Sequence, residues 1–178
     1  QDWLDKRLQV SNFFQNAGYQ NIFISQKTFP IPYLKEYGIE PKGRDLQIRG
    51  NDPKNLIRNK ISTQQAARLM YEIVTGKAIS EQYSMKMRQK IRQNLKREVW
   101  EKIDINFEFN PILGFFGQSL PDNLYFLSKA GWTSRTRQEV AFIKTKDGKV
   151  AYILAIFSED KSYARDFKIF PQISRLVF

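Results

Sequence analysis

Two residue types are missing from the 178-residue sequence, which contains no histidine and no cysteine. These absences exclude a Ser-His-Asp triad, a Cys-His pair, thiolate chemistry, disulfides and the usual zinc sites, because each needs one of the two side chains. Any chemistry must therefore use hydroxyl groups, lysine, arginine or carboxylates. A Ser/Lys mechanism and a carboxylate pair are the two arrangements left open.

A long apolar run is also missing. The longest apolar stretches, such as residues 150–157, are far shorter than the ~20 residues that span a bilayer, and the first residues lack the apolar segment of a signal peptide. The length fits one domain, and the 42% hydrophobic and 26% charged residues are ordinary for a globular protein. We therefore expect a soluble single domain over residues 1–178.

Acidic residues are few relative to basic ones, with 18 Asp and Glu against 29 Lys and Arg and a net charge of +11. Such an excess is typical of proteins that bind nucleic acid or anionic surfaces, but it also occurs as solubilising charge. Seven basic residues fall within residues 80–102, where apolar residues recur every four positions. Trp100 is the only aromatic residue between the first and the last of these basic residues. Nucleic-acid readers interleave aromatic rings for base stacking. We therefore expect a solvated basic face near an anionic cell envelope and not a nucleic-acid site.

Three-to-four-residue apolar spacing predicts helices over residues 3–17, 62–76 and 80–102. Gly18 and Gly76 follow the first two helices, where a C-terminal cap is expected. Residues 30–53 contain four prolines and three glycines. They are predicted to form a long loop, of the kind that often carries function.

Three extended runs are predicted to be strands, over residues 124–129, 139–145 and 150–157. The Asp147-Gly148 pair between the last two favours the positive φ angles of a tight hairpin turn. An antiparallel meander is therefore predicted, with Lys129 on its edge strand. The fold class is α+β, an antiparallel β-meander packed with helices.

The tail predicts one more helix, with Pro171 at a kink or restart. Its predicted apolar face consists of Phe167, Phe170, Ile173, Leu176 and Val177.

Three runs near the C-terminus carry a resemblance: Lys129-Ala130-Gly131-Trp132, then residues 137–141, then residues 150–157. Together they resemble the C-terminal part of class A β-lactamase-like serine hydrolases, in which a Lys-[Ser/Thr]-Gly strand leads through a short loop into a hairpin and a closing helix. Upstream, Asn59 with the segment from Ser62 to Gly76 is similar to the family's Asn-x-x-Ser-Thr helix.

The resemblance implies a substrate-binding strand. Lys129 would be the lysine whose ammonium attracts a substrate carboxylate, Gly131 would let substrate approach, and the Trp132 N–H would be one oxyanion-hole donor. Arg137 would supply part of an anion site. The alternatives are a solvated Lys129, a bulge at Gly131 and an exposed strand residue at Arg137. Ala130 replaces the family's hydroxyl, and losing one hydrogen bond to a charged group costs about 1.5–3 kcal/mol, which predicts weaker penicillin binding.

The family's nucleophile motif, Ser-x-x-Lys followed by Ser-Asp-Asn, does not occur upstream of Lys129. The one Ser-x-x-Lys in the chain begins at Ser158, after the second strand of the hairpin, and we interpret Ser158 as a helix cap. The family's deacylating glutamate lies in the loop after the first helix, so Glu36 and Glu40 are the candidates for that base. Without such a base an acyl-enzyme would turn over slowly.

The resemblance therefore predicts the C-terminal part of a serine hydrolase, an incomplete catalytic domain that cleaves a β-lactam or peptide amide through an acyl-serine outside this chain. It implies no metal and no cofactor, a substrate with a carboxylate, and a periplasmic or cell-envelope location. A missing N-terminal segment or a second chain would cover the open flank of the sheet. The alternative is a noncatalytic basic module on the same scaffold, which binds nucleic acid or an anionic envelope surface.

Overall fold

A computed structural model describes residues 2–26, 58–106 and 108–178 of the chain. The chain divides into two compact units, Gln1–Gln65 and Ala66–Phe178. In the first unit, helix α1 (Asp2–Asn16) confirms the first predicted helix, and it ends at Gly18 with φ of +75°. The Ser11 hydroxyl accepts a hydrogen bond from the Ile24 N–H at 2.7 Å and donates to the Ile24 carbonyl at 2.8 Å. These two hydrogen bonds hold the segment that follows α1 along one side of the helix.

Helix α2 (Thr63–Val74) confirms the second predicted helix. The Ser62 hydroxyl caps it by accepting from the Gln65 N–H at 3.3 Å, and Gly76 follows its end with φ of +77°. None of the described helices combines the length and the apolar character needed to cross a membrane.

The third predicted helix, over residues 80–102, is wrong in its second half. Helix α3 (Glu81–Ile91) ends at Arg92, which is extended, and a separate short helix α4 (Arg97–Trp100) follows. Between them the Gln93 N–H donates to the Phe126 carbonyl at 3.1 Å, so this stretch is hydrogen-bonded to a segment that is distant in sequence. The predicted apolar face is also wrong in part: Tyr83 is 50% exposed, whereas Ser84 is buried.

The three predicted strands are confirmed as an antiparallel meander, which gives the α+β class. They are β1 (Tyr125–Trp132), β2 (Arg137–Lys144) and β3 (Ala151–Ser158), in the order β1-β2-β3, so β1 with Lys129 is an edge strand of this sheet. The hairpin after β2 turns at Gly148, whose φ is +73°. The Thr145 N–H donates to the Val150 carbonyl at 3.0 Å, which leaves four residues in the loop.

One face of the sheet forms the main core. Side chains alternate between the two faces of a strand, and β2 alternates buried and half-buried positions along its length. The buried face of β2 contains Ala141 and Ile143, opposite Ser128 and Phe126 of β1. The same face also contains Arg137 and Glu139, two charged residues in line with the apolar core.

Two short helices close the chain. Helix α5 (Lys161–Arg165) is capped by Asp160, whose carboxylate accepts from the Ser162 N–H at 2.7 Å. The interpretation of Ser158 as the cap is therefore wrong, because Ser158 is the last residue of β3 and the chain needs two more residues to turn.

Helix α6 (Ile169–Val177) confirms the terminal helix and carries Pro171 in its first turn, where the missing N–H has no intrahelical acceptor to lose. Its buried residues are Phe170, Pro171 and Ser174. Leu176 is 86% exposed, so the predicted apolar face is wrong at that position.

Candidate active site

Among the residues that the structure describes, the outer edge of β1 is paired at one end and unpaired at the other. The Gln93 N–H binds the Phe126 carbonyl, and Arg92 forms a β-bridge with Leu127. Main-chain groups two residues apart in a strand point in the same direction. The carbonyl of Ala130 therefore points outward as that of Phe126 does, and so does the N–H of Trp132.

Lys129 lies on this edge with an exposed side chain. Its ammonium folds back and donates to the carbonyl of Ala130 at 2.7 Å. The ammonium is therefore held beside the outward-pointing main chain of β1. A ligand carboxylate that reached this edge would meet a positive charge next to main-chain donors.

The three residues after Lys129 differ in their exposure and in their contacts. Ala130 is 3% exposed and its side chain belongs to the core, so this side chain faces Glu139 on β2 and points away from the face that carries Lys129. A Cβ at Gly131 would meet no atom within 4 Å, which shows open space beside that residue. Trp132 is 49% exposed, and its indole N–H donates to the Ala164 carbonyl at 2.7 Å.

Arg137 is fully buried, and the alternative of an exposed strand residue is therefore wrong. Its guanidinium donates to three carbonyl oxygens, those of Tyr163 at 3.1 Å, Gly114 at 2.8 Å and Ala164 at 2.9 Å. The rings of Phe115 and Phe167 lie 4.9 Å and 4.4 Å from the guanidinium carbon. Burial lowers the pKa of Arg137, and the carboxyl groups of Asp166 and Glu139 oppose that shift.

Glu139 is a second buried ionisable group on the same face of β2. Burial raises its pKa to about 8, and the hydrogen bonds from the Phe116 N–H and the Ser128 hydroxyl together with the charge of Arg137 only partly oppose this. The Phe116 N–H lies 2.7 Å from one carboxyl oxygen, and the Ser128 oxygen lies 2.5 Å from the other. At neutral pH the side chain is therefore mostly the neutral acid, which can itself donate a proton to Ser128.

Gly114 allows the guanidinium of Arg137 to pack against the loop before β1. A Cβ there would lie 2.5 Å from a ring carbon of Phe167 and 2.8 Å from a terminal nitrogen of Arg137. The φ of Gly114 is +76°, a region that L side chains rarely adopt. Only glycine allows this approach and this backbone conformation together.

The predicted site residues thus separate into two groups. The strand brings Lys129, Gly131 and the Trp132 N–H to one open edge, whereas Ala130 and Arg137 face the core. Glu36 and Glu40 lie outside the described residues. Within the described residues, no three His, Cys, Asp or Glu side chains come together in a way that could hold a metal ion.

The sequence reasoning missed Glu139 and Ser128 as a buried polar pair. One signal was available, because Arg137, Glu139, Ala141 and Ile143 share a period of two. Two charges in register with two apolar residues place a charged pair on the apolar face of the strand.

Comparisons with known proteins bear on the family and the fold. A sequence model described as the β-lactamase enzyme family matches residues 4–178. Among solved structures, a class A β-lactamase from Bacteroides cellulosilyticus DSM 14838 superposes with a TM-score of 0.55 at 15% identity, over 96% of this chain and 52% of that one. A β-lactamase from Sphaerobacter thermophilus DSM 20745 gives 0.55 at 17% identity, over 94% of this chain and 53% of that one.

The chain thus spans about half the length of these two structures. At such identities the superpositions show a shared fold alone. A search of curated proteins finds no match.

Proposed function

Because the chain belongs to the β-lactamase enzyme family, we propose that it is the C-terminal part of a serine hydrolase of the class A β-lactamase-like type. The reaction is the hydrolysis of a β-lactam or peptide amide through an acyl-serine, with the nucleophilic serine supplied from outside these 178 residues. The part of the reaction assigned to this chain is to hold the carboxylate and the carbonyl oxygen of the substrate.

One observation carries the proposal, namely the open end of β1. There the ammonium of Lys129 lies against the Ala130 carbonyl, and the main-chain N–H of Trp132 points to the same edge. An N–H that points to an open edge can donate to a carbonyl oxygen that becomes negative during attack, which is the role of an oxyanion-hole donor. Open space beside Gly131 allows a substrate to lie close to the main chain.

The two serines of β1 and β3 are not placed to act as the nucleophile at this edge. The Ser128 hydroxyl is buried and bound to Glu139, so substrate does not reach it. Ser158 ends β3, two strands away from the edge that carries Lys129. Neither serine has a described position beside Lys129.

A covalent test addresses the nucleophile. Incubation of this chain with a fluorescent penicillin, followed by a denaturing gel, should give no labelled band. Covalent label on the chain alone would contradict the proposal that the serine is elsewhere.

A binding test addresses the edge of β1. Saturation-transfer NMR with benzylpenicillin should detect binding to the chain, and Lys129→Ala should weaken it about tenfold, because a hydrogen bond to a charged group is worth about 1.5–3 kcal/mol. Lys144→Ala is the matched control, since Lys144 is an exposed lysine at the end of the neighbouring strand. Equal loss in both variants would mean that net charge, and not the edge of β1, attracts the ligand.

A further inference from the structure

A small cavity lies beside the end of β1, on the face opposite Lys129. Its volume is about 150 Å³, and four aromatic rings line it, those of Phe109, Phe115, Trp132 and Phe167. Three of these side chains are strongly exposed at its mouth: Phe109 at 47%, Trp132 at 49% and Phe167 at 40%. Clusters of exposed aromatic side chains around a concavity are a common mark of a ligand site.

The walls of this cavity are held in place before any ligand arrives. Trp132 and Phe167 pack with ring centroids 6.1 Å apart, and Phe109 packs edge-on against Phe115 at 5.7 Å. The guanidinium of Arg137 joins the two pairs, because it contacts both Phe115 and Phe167. A ligand therefore does not need to order these side chains, which lowers the entropic cost of binding.

The polar side chains in the inner wall are already engaged, whereas the exposed side chains of Asn106 and Glu108 line the outer part. Arg137 donates to three carbonyl oxygens, and the indole N–H of Trp132 donates to the Ala164 carbonyl. The Asn110 amide donates to the Trp100 carbonyl at 2.8 Å and accepts from the Ile112 N–H at 2.9 Å. The volume of the cavity is close to that of an apolar cavity that accepts benzene. The aromatic walls therefore favour an apolar occupant, and the acidic side chain of Glu108 disfavours an anion.

We propose that this cavity is a binding site for a neutral aromatic ring of about benzene size. The size of the cavity sets the limit at a single ring. The rings of Trp132, Phe167 and Phe109 offer edge-to-face and offset-stacked contacts that a saturated ring cannot make. This site is separate from the proposed carboxylate site at Lys129 and does not depend on hydrolase activity.

Fluorine NMR on the intact chain tests the proposal with three probes, fluorobenzene, fluorocyclohexane and 4-fluorobenzoate. Fluorobenzene should bind at least about threefold more tightly than fluorocyclohexane, since aromatic ring pairs contribute about 0.5–1.5 kcal/mol beyond the burial of area. 4-Fluorobenzoate should bind no more tightly than fluorobenzene, because its carboxylate would lie near the acidic side chain of Glu108 in the cavity wall. Equal binding of the saturated ring, tighter binding of the benzoate or no binding of fluorobenzene would each overturn the proposal.

A pair of variants locates the site. Phe109→Ser removes one exposed wall and should weaken fluorobenzene binding about tenfold, since full burial of a phenyl-sized group is worth about 1.5–3 kcal/mol. Tyr83→Ser is the matched control, because Tyr83 is an aromatic residue of similar exposure that does not line the cavity, and it should leave binding unchanged. Binding that survives Phe109→Ser, or falls equally in both variants, would place the ring elsewhere.

A second measurement needs no variant. In the unmodified chain, fluorobenzene should shift the indole N–H resonance of Trp132, which lines the cavity, and leave that of the buried Trp100 in place. If fluorobenzene at saturation shifts the indole N–H resonance of Trp100 and not that of Trp132, the proposal is also overturned, whatever the behaviour of the variants.

Discussion

Lys129 and Arg137 carry the same charge on neighbouring strands, and their surroundings differ in almost every respect. Lys129 is exposed at the outer edge of β1, and its ammonium donates to the adjacent main chain at the Ala130 carbonyl. Arg137 is buried between two phenylalanine rings and binds three carbonyl oxygens. The comparison shows that a basic side chain on this sheet stays accessible to solvent when it lies at the edge and holds loops together when it faces the core.

The largest expected effect follows from removing the buried arginine. Arg137→Met would leave the carbonyls of Tyr163 and Gly114 without this donor, at about 1–3 kcal/mol for each buried acceptor, whereas the Ala164 carbonyl keeps the Trp132 indole N–H. We expect a loss of about 4 kcal/mol, enough to unfold a marginally stable domain. Urea unfolding followed by circular dichroism measures it. Arg135→Met, at an exposed arginine in the preceding turn, should change the free energy of unfolding little. An equal loss of stability in both variants would contradict the comparison of Lys129 with Arg137.

The second effect is a pH dependence caused by Glu139. Its pKa rises from an ordinary 4.5 to about 8 in the folded chain, so between these values the unfolded chain releases a proton that the folded chain keeps. The contribution of Glu139 to stability is therefore fully present below pH 4.5 and is lost as pH rises through about 8, by about 1.4 kcal/mol per pH unit or roughly 4–5 kcal/mol in total.

The variant Glu139→Gln should remove this dependence, because the amide can accept from the Phe116 N–H, donate to Ser128 and stay neutral. Urea unfolding at a series of pH values from 4 to 9 measures the slope. Glu159→Gln, at an exposed glutamate, should leave the slope unchanged. A steep slope that persists in Glu139→Gln would show that another group causes it.

The third effect concerns the loop that Arg137 holds. Gly114→Ala should destabilise the chain by about 2–4 kcal/mol, from the left-handed backbone conformation and from overpacking against Phe167 and Arg137. Gly131→Ala is the matched control, since a Cβ there meets no atom within 4 Å. Thermal unfolding should separate the two variants clearly, and similar melting temperatures would be inconsistent with the close packing described at Gly114.

The smallest effect on stability is expected at Lys129, the exposed residue of the pair compared above. Lys129→Ala should change the free energy of unfolding by less than about 0.5 kcal/mol, as is usual for surface substitutions. The same variant is expected to lose ligand binding, so stability and binding would separate at this residue. A large destabilisation by Lys129→Ala would mean that its contact with the Ala130 carbonyl has a structural role.

The sequence predicted the parts of the fold that depend on local pattern. Period-two spacing and the Asp147-Gly148 pair predicted the meander, and capping residues predicted the ends of α1 and α2, because these signals lie within a few residues of each other. The edge position of Lys129 followed from the strand order.

The parts that failed depend on contacts between distant segments. Residues 92–96 leave the helix to pair with β1, a contact that helical periodicity cannot reveal. Arg137 was expected either at an anion site or as an exposed strand residue, whereas it is fully buried, which is rare for a charged side chain. Its acceptors come from the loop at Gly114 and from α5, which meet only in the folded chain.

The Arg92–Leu127 bridge also has a consequence for self-association. An uncovered strand edge is a template on which other copies of a chain can add strands and grow into aggregates. The bridge and the Gln93 bond occupy the first part of the outer edge of β1, and a charged lysine follows at once. The stretch that remains, residues 128–132, is five residues long and lies at the short end of typical strand lengths, about five to six residues. Within the described part of the chain, the pairing and the charge of Lys129 therefore restrict the part of this edge on which other copies could add strands.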